Sequence, residues 1–141
     1  MKSVPKSKPL SAVVEIDGNS LKIESLISLA RDEAKAQLSK AAIEQMKLSR
    51  AKVDEALSLK TAVYGISTGF GKFKDVFIQP QDRKQLQLNL ILSHAAGVGA
   101  HFELELSRAM LALRANALAK GFSGVRVELV QLLLDCLNQG V

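Results

Sequence analysis

The chain of 141 residues carries a net charge of +5, with 48% hydrophobic and 23% charged residues. That balance describes a single globular domain long enough to bury a core, and it excludes a disordered or low-complexity chain. No run of about 18 apolar residues is present, so no membrane-spanning helix is expected, and the N-terminus lacks the apolar stretch of a secretory signal.

Aromatic residues make up only 4% and tryptophan is absent. The core must therefore be built from Leu, Ile, Val and Ala, which suits packed helices. The single cysteine, Cys136, cannot form an internal disulfide; among leucines it reads as a buried, inert thiol. These features together point to the cytoplasm. Lys2, Lys6 and Lys8 concentrate positive charge near the start, and the remaining basic residues alternate with acidic ones along helical segments. No stripe of Lys and Arg interleaved with aromatics occurs, so neither nucleic acid nor a membrane is an expected partner.

In chain order, residues 1–11 hold Pro5, Pro9 and three lysines and are expected to be a disordered basic tail. Residues 12–141 then form one helical domain. Ala12 to Ile16 reads as a short strand, and Asp17-Gly18-Asn19 is a turn signal. A small hairpin with Ser20 to Ile23 is the expected β element. Ile27, Ala30, Ala34 and Leu38 recur at helical spacing, which predicts a helix from Ile23 to about Ala36. Ser39 is placed to cap a second helix over Lys40 to Leu59, with Ile43, Met46, Val53 and Leu57 facing inward. Lys60 to Val63 leads into a glycine-rich loop.

That loop, Tyr64-Gly65-Ile66-Ser67-Thr68-Gly69-Phe70-Gly71, holds the only tyrosine and three of the nine glycines. Two readings stand on composition: a tight structural turn, or a loop that carries a hydroxyl to a substrate. Val76 to Ile78 is strand-like or an ordered loop. Pro80 and Asp82 open the next helix, with Asp82 and Gln85 resembling a capping box. Leu86, Leu88, Leu90, Ile91 and Leu92 make this helix apolar almost all round, so it is expected to be buried on most sides. A fourth helix is predicted from about Glu103 to Ala119, ending at Gly121, and a fifth from about Gly124 to Leu137, capped by Ser123. The apolar excess exceeds what five helices can bury. A piece of a larger protein, or a protomer of a tight oligomer, is expected.

Several motifs fail their tests. Gly65 to Gly71-Lys72 has five residues between the outer glycines of Gly65 and Gly71, and Phe73 follows the lysine, so it is no phosphate loop. His94 and His101 have no Cys or carboxylate cluster at metal spacing. With only two histidines, His94 and His101, no credible serine-hydrolase triad can be assembled.

Three stretches, in order and in register, resemble the aromatic amino acid ammonia-lyases, whose members act on histidine, phenylalanine or tyrosine. They are Tyr64 to Gly71, Leu86-Gln87-Leu88-Asn89-Leu90-Ile91-Leu92-Ser93-His94-Ala95-Ala96-Gly97, and Gly121-Phe122-Ser123-Gly124-Val125-Arg126. The resemblance implies a mainly α fold, the helical N-terminal part of that family's fold. It also implies a β-elimination: a substrate amine adds to an electrophilic methylidene-imidazolone ring, a base removes a β-proton, and ammonia leaves. Tyr64 matches the family's loop tyrosine, the proposed base. A free phenol has a pKa of about 10, so it needs help from its surroundings to act as a base. The glycines around it suit a loop that opens and closes over substrate, and the loop is expected to be mobile.

By the same resemblance Ser93 and His94 face the substrate ring, and Gly71 stands with them among the substrate-binding positions. The Ser-His pair looks like the histidine-specific members, where phenylalanine-type members carry Phe-Leu and tyrosine-type members His-Leu. A neutral His both donates and accepts, which suits an imidazole substrate. L-Histidine is thus the expected substrate and urocanate the product. A phenylalanine or tyrosine lyase, an aminomutase and a non-catalytic helical interaction module are the alternatives. Asn116 and Arg126 suit structural roles at least as well as substrate contact. The family is homotetrameric, which makes copies of the same chain the expected partners. The methylidene-imidazolone forms from Ala-Ser-Gly, and no such tripeptide occurs here; Phe122 stands before Ser123-Gly124. The chain is therefore expected to be an N-terminal fragment without activity of its own.

Overall fold

The computed structural model describes residues 13–59 and 62–140. The tail expected over residues 1–11, the start of the first strand at Ala12, and Lys60 and Thr61 on the approach to the glycine loop lie outside the described residues. The contacts group into two compact units. One runs to Arg50 and resumes at Phe102; the other is Ala51–His101.

The fold is mainly α. Strand β1 is Val14–Ile16, and helix α1, Ile23–Arg31, follows it. Strand β2, Ala36–Leu38, pairs with β1 in parallel, Val14 opposite Ala36 and Ile16 opposite Leu38. The expected hairpin is thus replaced by a β-α-β crossover. Asp17 explains the difference. Its Oδ1 accepts the Asn19 amide at 2.7 Å and the Ser20 amide at 2.8 Å, which turns the chain into α1 instead of back along β1. Those two amide bonds, Ser20's first, also hold the Asp17 carboxyl below its ordinary pKa.

The helix expected to reach Ala36 stops at Arg31. Ala34, Ala36 and Leu38 are buried while Lys35 and Gln37 are exposed, an alternation of period two. Ala34 and Leu38 are four apart, which satisfies both a helix and a strand, and the parallel ladder with β1 decides between them. Ser39 caps as expected: its Oγ accepts the Ala42 amide at 2.9 Å at the start of α2, Lys40–Ser58.

Helix α4, Leu104–Ala119, runs through the centre of the first unit. Ala112, Ala115 and Ala119 are fully buried along it, at three- and four-residue spacing. Their small side chains let neighbouring backbones come close, and Ile16, Leu29, Met46, Val130, Leu134 and Leu137 fill the space around them. Gly121 ends α4 at φ +74°, and a Cβ there would stand 2.8 Å from the Gln45 carbonyl carbon of α2, so only glycine fits. Helix α5 is Val127–Gln139, three residues later than expected. Ser123 does not cap it; Arg126 is the N-cap position, without a side-chain bond. The Gly124 amide instead donates to Ser49 Oγ at 3.0 Å, which ties this joint to α2. Cys136 is a free thiol, half-buried and not fully enclosed.

The second unit holds the glycine loop, a short 3₁₀ turn at Gly71–Phe73, another at Pro80–Asp82, and helix α3, Arg83–His94. The Asp82 side chain makes no capping bond, and Gln85 donates to Asn89 Oδ1 instead, so the capping box does not form. The 3₁₀ turn already carries the chain into the helix, with the Asp82 amide bonded to the Gln79 carbonyl. No residue of α3 is buried. Ile91 is 64% and Leu92 67% exposed, against the expectation of a helix covered on most sides. Among the described residues of this unit, no second layer packs over that face.

Candidate active site

Tyr64 opens a turn that its own chain holds in place. The Ile66 and Ser67 amides return to the Val63 carbonyl at 3.0 and 2.9 Å. Ser67 Oγ accepts the Val63 amide at 2.8 Å, and Thr68 Oγ1 accepts the Gly65 amide at 3.3 Å. Ser67 and Thr68 are buried, while Tyr64 is 64% exposed. The two hydroxyl residues therefore anchor the loop and present the phenol outward. A second tie runs across the loop, where Thr68 pairs with Phe77 in an antiparallel bridge and the Ile78 amide donates to the Ser67 carbonyl at 2.9 Å. Gly69 sits where a Cβ would stand 2.7 Å from that of Phe73, so the loop closes only around a glycine.

The Tyr64 ring meets Phe70 edge to face, with centroids 6.4 Å apart and planes at 73°. Its hydroxyl has no hydrogen-bond partner among the described residues. Phe70 also lines a hollow of about 480 Å³ with Leu90, Ile91 and His94 from the end of α3. The glycine loop and the end of α3 thus converge on one apolar recess with a single imidazole in its wall. A larger hollow, about 570 Å³, lies along α4 from Phe102 to Ala117 in the first unit. It contains none of the residues singled out by the sequence, and chemistry favours the smaller one.

His94 is the last residue of α3, where the helix dipole favours a cation-capable group. Its Nδ1 lies 2.9 Å from the Leu90 carbonyl and 3.0 Å from Ser93 Oγ. A carbonyl only accepts, so Nδ1 carries the proton, and Nε2 of the neutral ring is the acceptor. Ser93 Oγ donates to the same carbonyl at 2.9 Å. Ser93 therefore orients His94 and is not itself part of the wall. Gly71 begins the 3₁₀ turn at φ +56°, exposed, with open space where a side chain would stand. Tyr64, Gly71 and Ser93 surround the recess residues in sequence without lining the recess.

Asn116 and Arg126 belong to the first unit. Asn116 Oδ1 accepts the Gly18 amide at 3.0 Å, a bond that fixes α4 against the turn after β1. Arg126 is exposed at the start of α5. Sequence reasoning passed over Phe70, Leu90 and Ile91 as recess residues. Their only signal was apolar character beside a glycine cluster and beside a histidine.

The family model for aromatic amino acid lyases matches residues 21–141. Histidine ammonia-lyase of Bacillus subtilis (strain 168) is 52% identical over 129 residues, which covers 92% of this chain and 25% of that protein. The crystal structure of histidine ammonia-lyase from Trypanosoma cruzi is similar at a TM-score of 0.80 and 41% identity, over 90% of this chain and 24% of that one. Tyrosine aminomutase from Streptomyces globisporus is similar at a TM-score of 0.85 and 32% identity, over 92% of this chain and 25% of that one. The chain spans about a quarter of the length of the curated relatives it matches.

Proposed function

The chain belongs to the aromatic amino acid lyase family, and on that premise we propose that it is the N-terminal part of an enzyme that eliminates ammonia from L-histidine to give urocanate, a step of histidine catabolism. The carrying observation is the convergence of the Tyr64 loop and the Ser93-His94 end of α3 on one recess. The relatives named histidine ammonia-lyase support histidine as the substrate.

In the elimination the β-proton passes to Tyr64 as phenolate. The electron pair of that C–H bond becomes the Cα–Cβ double bond, and the amine departs as ammonia. Phe70, Leu90 and Ile91 supply apolar walls against which the substrate ring packs. His94 Nε2 accepts the N–H of a substrate imidazole, a bond that a phenyl ring cannot return. Ser93 and the Leu90 carbonyl hold the His94 tautomer, and the bare backbone at Gly71 leaves room for close approach. In this family a methylidene-imidazolone supplies the electrophile that makes the amine a leaving group. Its Ala-Ser-Gly source is not among these 141 residues, so no residue here provides it. The chain alone is accordingly inactive. We place the enzyme in the cytoplasm, as a homotetramer whose contacts cover the exposed face of α3.

The aminomutase reading has its own support in the structural likeness to tyrosine aminomutase. One experiment separates the readings. This chain replaces the matching quarter of the Bacillus subtilis enzyme, and the chimera is assayed with histidine, phenylalanine and tyrosine. Urocanate from histidine is expected, and Tyr64→Phe lowers kcat by about 10²–10⁴-fold. Full turnover in that variant removes Tyr64 from the base role. Turnover of phenylalanine or tyrosine instead of histidine moves the assignment to the other members. A silent chimera favours a non-catalytic helical module.

A further inference from the structure

Helix α3 begins with Arg83 and Lys84, directly after the acidic N-cap residue Asp82. Arg83 Nε is buried and has no hydrogen-bond partner among the described residues, which is a local cost. A side chain kept in place against that cost is held by a compensating contact. The contact available is Phe77: the guanidinium carbon lies 5.9 Å from the centre of its ring, within cation–π range.

Phe77 is also the bridge partner of Thr68, and its neighbour Ile78 donates to the Ser67 carbonyl. Ser67 and Thr68 are the buried anchors of the Tyr64 turn. An unbroken line of contacts therefore runs from Tyr64 through residues 67–68 and 77–78 to Arg83. Arg83 starts the helix that His94 ends. We infer that Arg83 is a positioning residue: its stack on Phe77 pins the Tyr64 turn to α3 and keeps phenol and imidazole on one frame. The consequence for catalysis rests on the lyase assignment above; the pinning itself does not.

The chain offers a direct probe. Tyr64 is the only tyrosine and there is no tryptophan, so tyrosine emission of the 141-residue chain reports this turn alone. Acrylamide quenching of that emission and tryptic cleavage after Lys72 and Lys74 are measured in the parent chain, Arg83→Met, Arg83→Lys and Phe77→Leu. Arg83→Met keeps the apolar stem and removes the charge. It is expected to raise the opened fraction of the turn about fivefold, with helical circular dichroism unchanged. Arg83→Lys restores most of the protection, because an ammonium also sits on an aromatic face. Arg83→Met in a Phe77→Leu background adds nothing further. In the chimera, Arg83→Met lowers kcat more than it raises KM, since orientation and not binding is lost.

Unchanged quenching and cleavage in Arg83→Met overturn the inference. So do additive effects of the Arg83 and Phe77 changes, and so does an equal loss in Arg83→Lys accompanied by loss of helix. If the turn opens as expected while the chimera with Arg83 intact eliminates nothing, the pinning stands and the lyase assignment falls.

Discussion

Glu33 is the one non-glycine residue with positive φ among the described residues, at +56°. It follows α1, where the Asp32 and Ala34 amides both return to the Ser28 carbonyl at 3.1 Å. This position reverses the chain from α1 into β2, and a side chain with a Cβ is strained there. Glu33→Gly is expected to raise stability by about 1 kcal/mol, read as a higher urea midpoint at unchanged slope. Tyr64 and His94 are the opposite kind of residue. Both are exposed, and neighbours hold them in place: Ser67 and Thr68 bond the turn that carries the phenol, and the Leu90 carbonyl with Ser93 fixes the imidazole.

At the level of elements, one buried side chain joins two helix ends. Arg108 of α4 is only 7% exposed. Its Nε donates to the Leu29 carbonyl at 3.0 Å, and a terminal nitrogen donates to the Leu137 carbonyl at 2.8 Å. Both carbonyls lie in the last turns of their helices, α1 and α5, where partners are needed and the dipole favours a cation. Arg108→Met is expected to destabilise the first unit by about 3 kcal/mol, measured by denaturant unfolding. Asn138 closes the sheet in a related way. Its side-chain amide donates to the Ala36 carbonyl and accepts the Ala36 amide, each at 2.8 Å, so the free edge of β2 is paired by a side chain. The surface pair Arg31–Glu105, at 2.6 Å and half exposed on both sides, contributes little beside these. Neither Arg108 nor Asn138 could be singled out from the sequence. Each looks like an ordinary polar residue on a helix until the carbonyls it serves are brought beside it by residues 79 and 102 positions away.

Across the whole molecule, burial is uneven. Among the described residues every buried apolar side chain belongs to the first unit, around Ala112, Ala115 and Leu134. In the second unit the buried positions are Ser67, Thr68 and Gly69. Apolar burial is the main favourable term in folding, so the second unit has little of its own to oppose opening. Amide hydrogen exchange is expected to show α1, α4 and the first half of α2 exchanging only on global unfolding, with residues 83–94 exchanging orders of magnitude faster. Equal protection in both sets would contradict this account. No helix among the described residues is long and apolar enough to cross a membrane. The exposed Leu88, Ile91 and Leu92 instead form a surface suited to protein contact.

Local chemistry was enough to place what depends on a few adjacent residues. The Ser39 cap, the glycine stop at Gly121, the long helices and the tyrosine in its glycine loop all follow from side chains within about one turn of each other. Tertiary contacts decided the remainder. A period of four in Ala34 and Leu38 fits helix and strand alike, and only the β1 ladder made it a strand. The bond that His94 Nδ1–H donates to the Leu90 carbonyl, the ring contact of Tyr64 with Phe70, and the grouping of Phe70, Leu90, Ile91 and His94 around one hollow exist only in the folded chain. Such pairings are settled by distance in space, which spacing along the chain does not encode.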